Sequence, residues 1–366
     1  MQGSKIAVLA LLFSSLALAN INKDFAHILD GTSAVTLDDI EVMYSKFVQQ
    51  YKQQMNYSPS SQFKSQTIDR KMIFAQKVQE IIKHNTAPSV SYKKGLNPFS
   101  DMTEEEFVSY YNINAQAEQN CSATKRSEIP QLMGDGIPEQ WDWRDKGIVS
   151  PVKNQGHCGS CWTFSTVGCL EAHYLKRYGQ FKNLSEQQLV DCASAYDNHG
   201  CNGGLPSHAF EYVKDNGGIS TEASYPYQAV TNQCTVNPSS YAVGVRGGAV
   251  NISLSEEDLR QALFNNGPIS IAFQVVDGFR DYSSGVYVSS TCKNGPSDVN
   301  HAVLAVGYGT ENGVNYWLIK NSWGAAWGDK GFFKMQRGVN MCGVAVCNSY
   351  PQEVYDISQE FKVFLQ

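Results

Sequence analysis

The sequence predicts an α+β fold, in which a helical half is followed by a sheet-rich half. Apolar residues recur at helical spacing between Leu37 and His84, and a second long helix is predicted over Trp162–Tyr178. Short apolar runs bounded by glycine and asparagine come later, at residues 302–306 and 316–319, and predict buried strands. Helices therefore come first along the chain and strands come later.

The first 19 residues have the pattern of a signal peptide. Lys5 precedes an apolar run from Ile6 to Leu18, and the segment 17–19 fits a small-x-small cleavage site. This run is too short to cross a bilayer comfortably, which disfavours a membrane anchor. We expect a protein of the secretory pathway without a membrane span, destined for a lysosome-like acidic compartment or for secretion.

The composition excludes some partners and favours disulfides. The 366-residue chain has a net charge of −6 and no run of lysine and arginine, which argues against nucleic-acid binding. Its ten cysteines favour disulfides in an exported protein. Sequons at Asn120, Asn183 and Asn251 are candidate glycosylation sites.

Residues 155–162, which read QGHCGSCW, carry the strongest chemical signal. Cys161 falls at the start of the predicted helix, where unpaired amides and the helix dipole stabilise a thiolate. We expect the Ser160 side chain to cap this helix. Gln155 lies six residues before Cys161. Its side-chain amide and the Cys161 backbone N–H could donate to a developing oxyanion.

A thiolate nucleophile needs a base. His301 stands in the run VNHAV, and Asn321 stands in the run KNSWG on the next predicted strand. An asparagine oxygen can accept the imidazole N–H and fix the orientation of the ring. Cys161, His301 and Asn321 therefore form a candidate catalytic set.

Other classes of protein share part of this pattern. Cys158 and Cys161 make a Cys-x-x-Cys motif at a helix start, as in a thiol-disulfide oxidoreductase, but that hypothesis leaves His301 and Asn321 unexplained. The histidine and cysteine spacings match no structural zinc pattern. A binding protein that had descended from an enzyme with this catalytic set but lost its activity would be expected to lack the nucleophile or the histidine. We expect no metal and no cofactor.

These motifs resemble the papain–cathepsin family of cysteine proteases, whose mark is a Cys-Gly-Ser-Cys-Trp type of run. The resemblance covers about Asp38 to Pro351 and implies a two-domain fold, with a helical left domain and a β-barrel-like right domain. It implies that Cys161 is the nucleophile, His301 the base and Asn321 its orienting residue, with Gln155 in the oxyanion hole. It implies substrate-binding roles for Gly203, Gly204, Leu205, Trp323 and Thr124.

The N-terminal region resembles the inhibitory propeptide of this family. Arg70, Phe74, Ile81 and Asn85 fall at the spacing of its helix motif, from which Gln66 and Lys77 depart. Residues 95–101, which read GLNPFSD, follow its second motif. The resemblance implies a helical domain that runs through the cleft in reverse orientation. We expect acid to release it by neutralising Asp101 and Glu104–Glu106.

Residues 118–124, which read EQNCSAT, resemble the mini-chain of the cathepsin H branch, a propeptide remnant that stays disulfide-linked to the enzyme. This implies an aminopeptidase with limited endopeptidase activity, in which the carboxylate of Thr124 pairs with the substrate ammonium. The alternative is a cathepsin L-like endopeptidase that loses the whole prosegment. The implied disulfides are Cys158–Cys201, Cys192–Cys234, Cys292–Cys342 and Cys121–Cys347, and Cys169 is left as a free thiol.

The resemblance also implies where the chain is divided into segments. The predicted parts are a signal peptide (1–19), an inhibitory propeptide (20–116), a mini-chain (117–124), an excised linker (125–136), a peptidase domain (137–351) and an unassigned C-terminal tail (352–366). The expected partners are peptide and protein substrates, the chain's own propeptide and cystatin-like inhibitors. We expect a monomer.

Overall fold

The structure is a computed structural model and describes residues 20–52, 69–113, 136–252 and 254–359. The predicted signal peptide, the mini-chain and all but the last residue of the linker lie outside these ranges. Asn120, Cys121 and Thr124 are therefore not placed.

The N-terminal region is helical, as predicted. Its elements are α1 (Ile21–Asp24), α2 (Ala26–Leu29), α3 (Leu37–Phe47), a π-helical turn (Val48–Lys52), α4 (Arg70–Asn85), β1 (Tyr92–Lys94) and α5 (Glu104–Tyr111). Thr36 and Asp39 form a capping box at the start of α3, and the Asp69 side chain caps α4. Phe47 and Phe74 pack 4.9 Å apart in the small core between these two helices.

The longest helix after the N-terminal region is largely buried. The α-helices described in the remaining chain are α6 (Cys161–Tyr178), α7 (Glu186–Cys192), α8 (Pro206–Asp215) and α9 (Glu256–Asn266). Helix α6 begins one residue before the predicted start and ends at Tyr178, as predicted; the next residue, Gly179, has a φ of 68°, the left-handed conformation that favours glycine.

Strands dominate the second half, as predicted. They are β2 (Trp141–Asp142), β3 (Ile219–Ser220), β4 (Tyr241–Val245), β5 (Ala249–Asn251), β6 (Ile269–Phe273), β7 (Tyr282–Tyr287), β8 (His301–Glu311), β9 (Val314–Lys320), β10 (Phe332–Gln336), β11 (Ser349–Pro351) and β12 (Val354–Asp356). One sheet has the order β1-β7-β10-β9-β8-β6-β11-β5, with β2 beside β8. The predicted strands 302–306 and 316–319 lie within β8 and β9.

The central helix packs against the sheet. The Ser165 hydroxyl on α6 donates to the Val303 carbonyl on β8 at 2.6 Å. This contact lies one helical turn beyond Cys161 and two residues beyond His301. Packing of α6 on β8 therefore brings the first residues of both elements together.

The N-terminal region docks onto the sheet in two ways. Strand β1 pairs antiparallel with β7, with Lys93 opposite Ser284. Buried side chains of the main hydrophobic core include Phe99, Met102, Phe107, Tyr111 and Ile113, whereas buried apolar side chains of α1 to α4, with Tyr51 and Leu96, form a core of their own. The second half of the region is thus part of the main body of the fold.

The C-terminal tail, which the sequence left unassigned, is in part a strand of the fold. Strand β12 pairs antiparallel with β4 in a second, three-stranded sheet. Asp356 at its end accepts a hydrogen bond from Tyr174 at 2.5 Å and pairs with Lys182 at 3.2 Å. The fold therefore continues past the predicted boundary at residue 351.

Candidate active site

Cys161 is the first residue of α6 and is almost fully buried. Its Sγ accepts the backbone N–H of Ala302 at 3.5 Å, which places the thiol beside the start of β8. Burial raises the pKa of the Cys161 thiol to about 11, although this backbone N–H favours the thiolate. The thiol is therefore neutral near pH 7 in this structure.

His301 begins β8, and Asn321 directly follows the antiparallel strand β9, so the two residues meet at one end of the sheet. His301 Nε2 lies 2.8 Å from Asn321 Oδ1, which leaves Nδ1 for another partner. The indole of Trp323 stacks on the imidazole at 4.9 Å. Burial lowers the pKa of His301 to about 4, against the effect of the Asn321 hydrogen bond.

The expected side-chain cap by Ser160 is wrong. Ser160 stands at the N-cap position of α6, but its side chain makes no capping hydrogen bond. Its hydroxyl instead lies 2.5 Å from the hydroxyl of Tyr227, which is distant in sequence. The Ser160 side chain therefore accepts no hydrogen bond from the first backbone N–H groups of α6, which include that of Cys161.

Gln155 is buried and held from several sides. Its Nε2 donates to the Cys158 carbonyl at 3.0 Å, and its Oε1 accepts the Ser322 hydroxyl at 2.6 Å. The Gln155 N–H also donates to the Ser322 carbonyl at 2.9 Å. Sequence reasoning missed the role of Ser322, although it stands between Asn321 and Trp323 in the KNSWG run. Because the Ser322 hydroxyl donates to Oε1, it fixes the orientation of the Gln155 amide and so the direction in which Nε2 donates.

The glycine loop predicted to bind substrate packs beside the start of α6, where Trp162 Nε1 donates to the Gly200 carbonyl at 3.1 Å. The Cys158–Cys201 disulfide, at 2.05 Å, ties this loop to the segment before Cys161. A Cβ on Gly204 would lie 2.5 Å from the Trp162 ring, so only glycine fits there. Gly203 accepts the His199 N–H through its carbonyl, and Leu205 precedes α8.

The N-terminal region covers this site. Phe107 and Tyr111 on α5 lie 5.2 and 5.0 Å from the Trp323 ring. Asn112, in the left-handed conformation that ends α5, donates through Nδ2 to the Cys201 carbonyl at 2.8 Å. The end of α5 therefore contacts both Trp323, which stacks on His301, and the glycine loop.

Charged contacts hold the N-terminal region to the rest of the chain. Lys77 Nζ on α4 lies 3.0 Å from a carboxylate oxygen of Asp281, and both side chains are buried. Arg280 Nε lies 3.3 Å from Glu104. Lys77 departs from the family motif, so this buried ion pair stands where the motif has asparagine.

The pKa directions correct the expectation for Asp101 and Glu104. Burial raises the pKa of Asp101, which pairs with Lys52 at 2.6 Å, and burial also raises the pKa of Glu104. A carboxyl whose pKa is raised on folding binds its proton more readily in the folded state, so protonation stabilises that state. These two groups therefore oppose release in acid.

The pKa of Glu106 is shifted in the direction that the expected release in acid requires. Burial alone would raise its pKa, but hydrogen bonds from both terminal nitrogens of Arg70, at 2.5 and 2.6 Å, and from the Thr103 N–H outweigh burial. The pKa of Glu106 is therefore lowered. Its stabilising contribution is present above the pKa of the unfolded chain and is lost as the pH falls.

Three implied disulfides are present in the described residues, namely Cys158–Cys201, Cys192–Cys234 and Cys292–Cys342. Cys161 and Cys169 are free, and the buried Cys169 thiol donates to the Pro268 carbonyl at 3.1 Å. Cys347 is disulfide-bonded. Its implied partner, Cys121, lies outside the described residues.

The remaining predicted sites differ in accessibility. The Asn183 residue is exposed, whereas Asn251 is half-buried at the end of β5. Across the described ranges, no group of three or more histidine, cysteine, aspartate and glutamate side chains could hold a metal ion. No helix in the same part of the chain is long and apolar enough to cross a membrane.

The chain belongs to the papain family of cysteine proteases, because residues 137–352 match the profile described as papain family cysteine protease. Residues 44–107 match the cathepsin propeptide inhibitor domain. The protein is therefore a cysteine-type peptidase with a papain-like fold, made as a zymogen whose N-terminal domain is an intramolecular inhibitor.

Named relatives and solved structures agree with this family. The chain is 56% identical to the pro-cathepsin H of Medicago truncatula over 280 residues, covering 76% of this chain and 78% of that protein. It is 48% identical to the thiol protease aleurain of Arabidopsis thaliana over 356 residues, covering 94% and 96%. Digestive procathepsin L 3 from Tenebrio molitor larval midgut superposes with a TM-score of 0.76 at 37% identity, covering 87% of this chain and all of that one.

Proposed function

We propose that Cys161 is the nucleophile of this protease and that His301 is its general base. The contact of the Ala302 N–H with Cys161 Sγ, at 3.5 Å, carries this proposal, because it sets the thiol beside the histidine that Asn321 orients. The thiolate adds to the peptide carbonyl carbon, and the carbonyl oxygen takes up the electron pair. The Cys161 N–H and Gln155 Nε2 donate to this oxyanion.

The histidine completes both halves of the reaction. In the first half, protonated His301 gives its proton to the leaving amine as the C–N bond breaks, which leaves an acyl group on Cys161. In the second half, neutral His301 takes a proton from water, and the resulting hydroxide equivalent displaces the thiolate. Asn321 keeps the ring in position through both steps.

Substitution of the proposed catalytic residues tests these roles. Cys161→Ser should lower peptide hydrolysis roughly 10⁶-fold, by analogy with loss of the nucleophile of a catalytic triad. His301→Ala should be nearly as severe, and Asn321→Ala should be milder because that residue orients and does not react. Hydrolysis per mole of folded, processed protein measures the effect. Substantial hydrolysis by Cys161→Ser would overturn the assignment.

We propose further that the mature enzyme is mainly an aminopeptidase and that a retained mini-chain, residues 117–124, is the reason. The disulfide-bonded state of Cys347 supports this proposal, because six other described cysteines pair among themselves and two are free. Cys347 closely follows Gly343, where a Cβ would lie 3.0 Å from Val299, two residues before His301. A segment linked to Cys347 would thus be anchored near the catalytic histidine.

The mini-chain carboxylate, at Thr124 if cleavage falls there, would pair with the α-ammonium of the substrate. A charge-assisted contact of this kind contributes about 1.5–3 kcal/mol. That energy corresponds to about one to two powers of ten in rate if the contact is fully formed in the transition state. The same peptide would block longer substrates sterically, which favours free N-termini further.

Cys121→Ser tests the aminopeptidase proposal. The variant should lose its mini-chain after maturation, lose its preference for free N-termini and gain activity on N-terminally blocked peptides. The ratio of hydrolysis rates on matched blocked and unblocked peptides measures the change, and Cys169→Ser is the control that leaves the mini-chain attached. An unchanged ratio in Cys121→Ser would favour the cathepsin L-like endopeptidase instead.

We propose that the protein matures in the secretory pathway. The predicted signal peptide and the disulfides among the described cysteines support an oxidising route. The exposed Asn183 is the better candidate for glycosylation of the two sequon asparagines that the structure describes, since Asn251 is half-buried.

A further inference from the structure

The hydroxyl of Tyr227 joins the two segments that would supply the oxyanion donors. Its Oη donates to the Gln155 carbonyl at 2.7 Å and lies 2.5 Å from the Ser160 Oγ. Gln155 carries the side-chain donor, and Ser160 directly precedes Cys161, which carries the backbone donor. These two segments meet a single phenol group that comes from a loop distant in sequence.

The direction of both hydrogen bonds follows from the proton count. A phenol has one proton, and the Gln155 carbonyl can only accept, so Tyr227 donates to Gln155. The Ser160 hydroxyl must then donate to the Tyr227 oxygen. The pKa of Tyr227 is raised by burial, so the phenol keeps its proton across the working range of the enzyme.

The ring that carries this hydroxyl is fixed independently of these bonds. It packs edge-on against Phe164 of α6 at 4.9 Å. The Tyr227 N–H donates to Glu222 Oε1 at 2.8 Å. Removal of the hydroxyl alone should therefore leave the ring in place while freeing Gln155 and Ser160 to move.

We propose that Tyr227 is a positioning residue of the oxyanion hole, which holds the Gln155 backbone and the start of α6 at a fixed separation. This inference rests on the proposed roles of Gln155 and Cys161. A donor acts on an oxyanion only when it is aimed at the position that the oxygen takes in the transition state. The Tyr227 hydroxyl, which is hydrogen-bonded to both donor segments, keeps the two donors in this orientation and does not itself contact substrate.

The test compares two reactions of Cys161 in mature enzyme processed from the full-length zymogen, with rates normalised to titrated active sites. The thiolate adds to the carbonyl carbon of a peptide aldehyde, and the carbonyl oxygen takes up the electron pair as an oxyanion, which gains a proton to give the hydroxyl of a hemithioacetal. Iodoacetamide is attacked at a saturated carbon with loss of iodide, so no oxyanion forms. Tyr227→Phe should weaken aldehyde binding and lower kcat roughly tenfold, with an alkylation rate within about twofold of wild type.

A matched control comes from the same loop. Tyr225→Phe also removes one phenol hydroxyl, which donates to Asp191 at 2.9 Å, away from the proposed oxyanion donors. This variant should match wild type in both reactions. Ser160→Ala, which removes only the second partner of Tyr227, should shift aldehyde binding in the same direction as Tyr227→Phe. If Tyr227→Phe does not fold, Ser160→Ala serves as the test variant in its place.

The outcomes separate this inference from the proposed function. Equal losses in aldehyde binding and alkylation would show a general effect on the thiol and would overturn the positioning role. Unchanged aldehyde binding in Tyr227→Phe, with a loss in Gln155→Ala, would overturn this inference alone. Unchanged aldehyde binding in Gln155→Ala would overturn the oxyanion role of Gln155, and the role of Tyr227 with it.

Discussion

In the zymogen, burial shifts the pKa values of Cys161 and His301 in the directions that disfavour a charged pair. The pKa of the thiol is raised to about 11 and that of the imidazole is lowered to about 4, in both cases chiefly by burial. Both groups are therefore neutral near pH 7, whereas the active form of such a pair is thiolate and imidazolium. Release of the propeptide would hydrate the site and permit the ion pair.

At the residue scale, the first prediction concerns the reactivity of this thiol. Iodoacetamide should alkylate Cys161 of the intact zymogen negligibly at pH 7, with the rate rising only as the pH approaches the raised pKa. The processed enzyme should react at least roughly a hundredfold faster at pH 7, because a thiolate fraction changes tenfold per unit of pKa. The measurement is the alkylation rate against pH for both forms.

Cys161→Ser supplies the background rate in the same experiment. The other described free thiol, Cys169, is fully buried and its pKa is also raised, so it should add little. Fast alkylation of Cys161 at pH 7 in a zymogen shown to be uncleaved would contradict suppression by burial.

At the element scale, helix α4 carries a contact that the family motif does not predict. Lys77 pairs with the buried Asp281 at 3.0 Å and with Glu80 at 2.5 Å. A hydrogen bond between charged groups is worth about 1.5–3 kcal/mol. The loss of Lys77 would also leave Asp281 buried with Arg280 as a more distant partner, at 3.6 Å. This pair thus ties the propeptide helix directly to the peptidase.

The second prediction is that Lys77→Met weakens autoinhibition. The uncleaved variant should show roughly 10- to 150-fold more residual hydrolysis at neutral pH than the uncleaved wild-type zymogen. Electrophoresis during the assay verifies that the chain stays intact. Lys71→Met is the matched control on the same helix, since Lys71 pairs with Glu41 on the surface, where ion pairs contribute little. Equal residual activity in Lys77→Met and wild type would refute the prediction.

The site illustrates what the sequence could and could not predict. The short motifs around His301 and Asn321 predicted their proximity, because antiparallel β8 and β9 bring the start of one strand beside the end of the other. The cap expected from Ser160 was wrong because its hydroxyl meets Tyr227, and no local pattern marks so distant a partner. Local sequence specifies elements and their ends, whereas these cross-links depend on tertiary packing.

Burial is a second property that the sequence did not reveal. Asp101 and Glu104 stand in an acidic stretch, where acid would be expected to remove favourable charge. Their pKa values are raised because the fold buries them, which reverses the sign of their contribution. Glu106 keeps the expected sign because Arg70 reaches it from α4. The direction of each pH effect is therefore set by the neighbours that folding supplies.

At the scale of the whole molecule, activation by acid depends on which carboxylates lose a contact. Glu106 joins α5, which covers the active site, to Arg70 on α4, which is docked on the peptidase through Lys77. Its lowered pKa means that the ion pair is fully stabilising above the pKa of the unfolded chain and disappears as the pH falls through the lowered value. The Glu106–Arg70 pair is therefore one acid-labile link between α4 and α5.

The third prediction is that Glu106→Gln moves zymogen activation to higher pH. The neutral amide mimics the protonated carboxyl, so the variant should begin processing with the charge-assisted bond already lost, worth about 1.5–3 kcal/mol. Since one pKa unit corresponds to about 1.4 kcal/mol, the pH of half-maximal processing should rise by roughly one to two units. Glu41→Gln, which removes an exposed carboxylate on α3, should leave it unchanged. The measurement is the fraction of zymogen processed after a fixed time at each pH. If Glu106→Gln and wild type are processed at the same pH, acid must act through other groups, and the link between α4 and α5 is not what opens the precursor.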